Sequence, residues 1–106
     1  MESFCIRFYA TESQRHGGKL VHDWLLARAK ALGVPGGTAL RAIAGYGRHG
    51  ILHEETFFEL AGAMPVEIEF IADASQTDAL LELLKTEKLH LFYIRMPVTS
   101  GISGSP

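Results

Sequence analysis

The chain is poor in several things, and each shortage excludes something. Its single cysteine, Cys5, rules out an internal disulfide. No apolar run approaches the ~20 residues that a bilayer-spanning helix needs, so direct membrane insertion is not expected. No basic start followed by an apolar stretch marks a secretory leader. Neither sign of charge prevails: 10 Lys and Arg stand against 12 Asp and Glu, a formal net charge of −2. Such a chain has no global field to draw in nucleic acid. No Ser/His/Asp or Cys/His arrangement stands out, so no catalytic residue is assigned and an enzyme is not expected. Together these shortages suggest a bacterial-type cytoplasmic protein.

What remains is an ordinary globular composition, 47% hydrophobic and 21% charged over 106 residues, the length of one domain. Residues 1–97 are read as that domain and residues 98–106, rich in Gly and Ser, as a flexible tail. Phe4 to Tyr9 alternates with period two and reads as a strand, in which Cys5 serves as a small buried hydrophobe. Thr11 to Gly18 reads as a loop. From Lys19, a helical stripe of Leu20, Val21, Trp24, Leu25, Ala27, Ala31 and Leu32 runs to a C-cap glycine, Gly33, and Pro35 prevents continuation. Thr38 to Ala44 is a second strand. Glu54 to Leu60 is a helical turn or a returning edge segment. Pro65 opens a third strand over Val66 to Ala72. Asp73 or Ser75 caps a helix carrying Leu80, Leu81, Leu83 and Leu84 that ends near Thr86. Leu89 to Met96 is a fourth strand.

Strand, helix, strand, strand, helix, strand is the βαββαβ order of an α+β, ferredoxin-like fold. Right-handed crossovers put both helices on one face of a four-stranded antiparallel sheet, with the first and third strands as central neighbours. Ile6 and Phe8 then face the helices with Phe4, and Arg7 faces away, where Glu67 and Glu69 can pair with it. Residues two apart on a strand share a face about 7 Å apart, so the two carboxylates suit an ion pair better than a catalytic dyad. That outer face mixes aromatic, aliphatic and charged residues. An uncovered face would be more uniformly polar, which predicts a partner subunit.

The segment Arg41 to His53 carries the most chemistry. An apolar strand breaks into glycines at 45, 47 and 50, interleaved with Tyr46, Arg48 and His49. Glycine lets a ligand approach the backbone closely, and successive N–H groups can form an anion nest. Arg41 and Arg48 would add charge-assisted bonds suited to phosphate. The spacing fits neither a P-loop nor a dinucleotide fingerprint, and the same glycines would serve a plain hairpin turn. Lys19 is a further candidate, at the expected start of the first helix. Five histidines, 16, 22, 49, 53 and 90, raise a metal alternative. His49 and His53 are four apart, with Glu54 and Glu55 beside them, but that spacing unites two imidazoles only on a helix, and Gly50 argues against one.

Several spaced elements carry a family resemblance. They are His16-Gly-Gly-Lys19, Ala29-Lys-Ala-Leu-Gly33, Arg41 to Gly47, His53, and Leu60 to Asp73 around Pro65. In these the chain resembles the PII-like proteins of domain of unknown function 190, relatives of the nitrogen-regulatory PII signal proteins. The resemblance implies a homotrimer with nucleotide clefts between subunits. It implies signalling through a loop at Gly45 to Glu55 that meets a protein target such as a membrane transporter or channel. An adenine nucleotide is the implied effector, and no other cofactor is called for. Ala42 stands where relatives often have glycine, and the loop is shorter than that of PII proteins. The alternative is a metal-responsive trimer similar to the CutA proteins, with His49 and His53 as ligands. A hydrolase of the acylphosphatase type shares the fold but needs an Asn, and the chain has none.

Overall fold

The computed structural model describes residues 2–46, 52–53 and 64–104. Its main sheet has four antiparallel strands: β1 (Ser3–Thr11), β4 (Gly37–Arg41), β7 (Pro65–Ala72) and β8 (Phe92–Val98). They lie in the order β4-β7-β1-β8, so the first and third long strands are the central neighbours. Two short hairpins complete the strands, β2 (Arg15–His16) with β3 (Lys19–Leu20) and β5 (Gly45–Tyr46) with β6 (Leu52–His53). Helices α1 (Val21–Ala31) and α2 (Ala74–Thr86) cover one face of the sheet. The expected ferredoxin-like α+β architecture is present.

Alternation decides which side chains meet the helices. Ile6 and Phe8 on β1 and Ile68 and Phe70 on β7 are buried with Val21, Leu25 and Ala29 of α1 and Leu80 and Leu84 of α2. The α1 stripe is narrower than expected. Ala27, Ala31 and Leu32 are exposed and Ala29 is buried, because α1 turns its Val21–Leu25–Ala29 row toward the sheet.

Both helices end in the same backbone device. At α1, Gly33 N–H donates to Lys30 O and Val34 N–H to Ala29 O. At α2, Lys88 N–H donates to Lys85 O and Leu89 N–H to Leu84 O. Each is a Schellman pair, which needs a residue at positive φ just past the helix. Gly33 supplies it at φ 84 and Lys88 at φ 56. This turn delays the last strand to Phe92–Val98, later than the Leu89 to Met96 expected. A non-glycine residue in that region is strained by about 1–2 kcal/mol. Lys88→Gly is therefore expected to stabilise the fold by roughly 1 kcal/mol, less than the strain because glycine also frees the unfolded chain. A higher urea midpoint with unchanged slope would show it.

The start of α2 follows a capping box: Asp73 accepts from Gln76 N–H at 2.8 Å while the Gln76 side chain accepts from Asp73 N–H at 3.1 Å. The bond from the Gln76 backbone, then that from the Ser75 hydroxyl, holds the Asp73 carboxyl below its usual range. Its folded value is the lower one, so this cap is fully effective above the ordinary carboxylate range and is lost as pH falls through the folded value.

The polar stretch at Thr11 to Gly18 is not all loop. Gly17 (φ 59) and Gly18 (φ 81) form a two-residue turn that pairs Arg15 with Leu20 and His16 with Lys19. Two central residues at positive φ match the twist of the flanking strands. Lys19 therefore lies in β3 and α1 begins at Val21, which corrects its expected place in the first turn.

At the other end of the core, Gly37 is a close-approach position. A Cβ there would stand 2.5 Å from the Phe70 ring and 2.9 Å from Leu26.

Candidate functional site

Three chain segments meet at one end of the sheet, around the start of β7. Leaving β1, Glu12 N–H donates to Met64 O at 2.7 Å; leaving β4, Ala42 N–H donates to Pro65 O at 2.8 Å. The two exits thus flank consecutive residues, Met64 just before β7 and Pro65 at its start. Arg41 is paired with Val66 in the register, which ends β4 three residues before the expected Ala44. Its side chain is 66% exposed, and its Nε lies 2.8 Å from Glu12 Oε2. That oxygen is buried and has no well-formed hydrogen bond among the described residues.

Just beyond Arg41, Gly45 pairs with His53 and Tyr46 with Leu52. Arg41 therefore stands at the root of a hairpin whose arms are strands. His53 lies on one of those arms, so the helical spacing that would unite His49 and His53 does not exist at His53. Gly47, Arg48 and His49 lie outside the described residues, as do Glu54 and Glu55 and the segment 54–60. Among the described residues, no group of three His, Cys, Asp or Glu side chains could hold a metal ion.

Lys19 belongs to a different construction. The hairpin that carries it is clasped to both helices. His16 Nε2 lies 2.9 Å from Glu87 Oε1 at the end of α2, and the His16 ring meets Trp24 of α1 edge-on at 4.6 Å. Arg28 lies over the same indole at 5.7 Å. The His16-Gly-Gly-Lys19 element is thus accounted for by a tight turn and a clasp.

The face of the sheet away from the helices has its own pattern. Arg7 donates from Nε and Nη2 to Glu69 Oε2 at 3.0 and 2.8 Å, and Glu67 Oε1 lies 3.7 Å from Nε. The expected Arg–Glu pairing across the central strands is present. The Glu69 bond, then that to Tyr9, raises the Arg7 pKa further, so the guanidinium stays charged. Around this charged centre the register lines up Cys5 with Met96, Arg7 with Ile94 and Tyr9 with Phe92. Leu40, Phe92 and Met96 are 50%, 46% and 37% exposed. Cys5 is buried there, and that burial raises its thiol pKa, which keeps it unreactive.

Two features of this region went unread in the sequence. Glu12 was missed as the partner of Arg41, although it directly follows the first strand, where the register carries it toward the start of the third. The His16–Glu87 clasp joins residues 71 apart and left no local signal.

Comparison with known proteins covers nearly the whole chain. The family DUF190, described as Uncharacterized ACR, matches residues 3–99. A UPF0166 protein of Aquifex aeolicus (strain VF5) is 35% identical over 80 residues, 76% of each chain. Among solved structures, a protein described as PII-like and signalling, from Thermus thermophilus, aligns with a TM-score of 0.59 at 20% identity, over 92% of this chain and 86% of that one. CPII, a nitrogen regulatory PII-like protein from Thiomonas intermedia K12 bound to ADP, AMP and bicarbonate, aligns with a TM-score of 0.59 at 20% identity, over 92% and 89%. At that identity the likeness shows a shared fold.

Proposed function

The chain belongs to the DUF190 family, and from that premise we propose that it is a PII-like trimeric sensor of a small anionic effector, an adenine nucleotide in the first instance. The observation that carries this reading is Arg41: a largely exposed guanidinium at the root of the Gly45–His53 hairpin. CPII, which shares the fold, is bound to ADP and AMP. Arg41 would take phosphate oxygens in its planar fork. Gly45, Tyr46, Gly47 and Arg48 would complete the cradle, with Lys19 as a further cation. Segment 45–55 then carries the signal to a protein target, such as a membrane transporter or channel. A ligand can do this only by binding two arrangements of that segment unequally.

Copies of the chain meet, on this reading, through the open sheet face, whose exposed Leu40, Phe92 and Met96 ring a charged centre. No helix among the described residues is long and apolar enough to cross a membrane. The protein acts in the cytoplasm and performs no catalytic step of its own.

Titration calorimetry with ADP and AMP tests the proposal. Arg41→Ala is expected to weaken binding roughly ten- to a hundredfold, the loss of one charged hydrogen bond at about 1.5–3 kcal/mol. Absence of any heat with both nucleotides on the unmodified protein would sink the reading.

A further inference from the structure

We propose that Glu12 is a built-in competitor for the ligand of Arg41, a carboxylate that occupies the guanidinium until a phosphorylated anion displaces it. This rests on the reading of Arg41 as the effector-binding cation. In the structure the two side chains are already an ion pair, with Glu12 Oε2 2.8 Å from Arg41 Nε. At that distance the carboxylate cancels most of the charge that an incoming phosphate would sense.

The pair is placed by the backbone rather than by chance contact of long side chains. Glu12 N–H is bonded to Met64 O and the N–H after Arg41 to Pro65 O, so both residues are fixed against neighbouring positions at the start of β7. Yet the contact itself is poorly made. Glu12 Oε2 is buried and has no well-formed hydrogen bond among the described residues, which costs free energy for a charged acceptor. Among the described residues, the charge of Arg41 is what holds that oxygen.

Exposure differs between the partners: the Arg41 side chain is 66% exposed and that of Glu12 32%. Arg41 can leave toward solvent and a ligand, while Glu12 stays. Two states follow, Arg41 on Glu12 and Arg41 on the ligand. The apparent affinity is the intrinsic one reduced by the fraction of chains in which Arg41 is free. Releasing Arg41 strands the Glu12 charge, so a ligand must bring more than a weak single contact. A phosphate group meets that demand with charge and with a bidentate fit to the guanidinium. Glu12 thus sets a threshold that separates phosphorylated ligands from weakly bound anions.

Glu12→Gln is the decisive substitution. It keeps an oxygen that can accept from Arg41 Nε and removes the charge. ADP affinity, measured by calorimetry on the full chain, is expected to rise roughly threefold to tenfold, the effect of deleting one charge a few ångströms from a ligand held at the solvent-facing Arg41 guanidinium. Glu12→Ala is expected to shift it the same way, and Arg41→Ala to abolish the gain in either background. Melting curves verify that each variant is folded; the anchoring bond to Met64 is made by the Glu12 backbone, which both variants keep. If the unmodified protein binds ADP and both Glu12 variants bind it equally or more weakly, Glu12 positions Arg41 instead of competing for it, and the proposal is overturned while the effector reading stands. If Arg41→Ala binds as well as the unmodified chain, the ligand lies elsewhere and both fall. If no variant binds ADP, AMP or inorganic phosphate, both fall as well.

Discussion

Ile94→Glu is expected to break the proposed assembly of three copies into monomers of 11.6 kDa. Ile94 lies opposite Arg7 in the register, at the centre of the edge strand β8 and on the open face. Arg7 already serves Glu67 and Glu69 there. A third carboxylate would leave the cluster at +1 − 3 = −2 per copy, counting Arg7, Glu67, Glu69 and the new group. Packing three such faces together would desolvate charges with no partner to repay the loss, a penalty of several kcal/mol per ion. In the isolated chain the same group keeps its water and lies beside Arg7, so the monomer stays folded. Multi-angle light scattering at micromolar concentration reads both outcomes. An unmodified protein that elutes at single-chain mass removes the trimer. A variant that keeps triple mass moves the interface to another surface.

The second large effect lies in the core. Phe70→Ala is expected to cost about 3–5 kcal/mol, because a 1%-exposed ring is deleted from between β4 and α1. Gly37→Ala pushes a methyl group to 2.5 Å from that ring, and its cost is expected at about 1–3 kcal/mol. The two should not add. With the ring gone, the methyl group at 37 enters the space it left, so Gly37→Ala should be nearly neutral in the Phe70→Ala background. Urea denaturation of all four proteins at one protein concentration measures the coupling, since an oligomer's stability depends on concentration. Additive costs would mean that β4 shifts away from Phe70 rather than pressing on it.

The sequence showed the sheet better than it showed the site, and the reason is physical. Val66, Ile68, Phe70 and Ala72 alternate with Glu67, Glu69 and Ile71, so one strand announces both its faces. From that alternation and the right-handed crossover rule, a pairing of Arg7 with Glu67 or Glu69 followed, and Glu69, 62 residues away, takes the hydrogen bonds. The boundaries were harder. A Schellman turn is made by backbone groups, and Lys88 carries no glycine signal to announce it. The Gly17–Gly18 turn was legible in principle, as a two-glycine step between short polar arms. It was hidden because Lys19 and Leu20 also fit the start of the helical pattern. Arg41 was legible as a cation beside glycines. Its tie to Glu12 depends on how two strand exits converge on Met64 and Pro65, which no local pattern encodes.

Both edges of the main sheet are poor places for another chain to attach. On one side β4 offers only five residues; on the other, β8 contains Pro97, which has no N–H to give. Neither edge is a good template for adding strands end over end from other chains. An encounter between two copies would thereby be steered away from open-ended ribbons, the seeds of fibres, and, on the proposed assembly, toward the broad sheet face. Contacts there can close after a fixed number of subunits, as cyclic symmetry requires. The same five-residue strand and single proline would thus guard the chain against its own concentration during synthesis, before any assembly has formed.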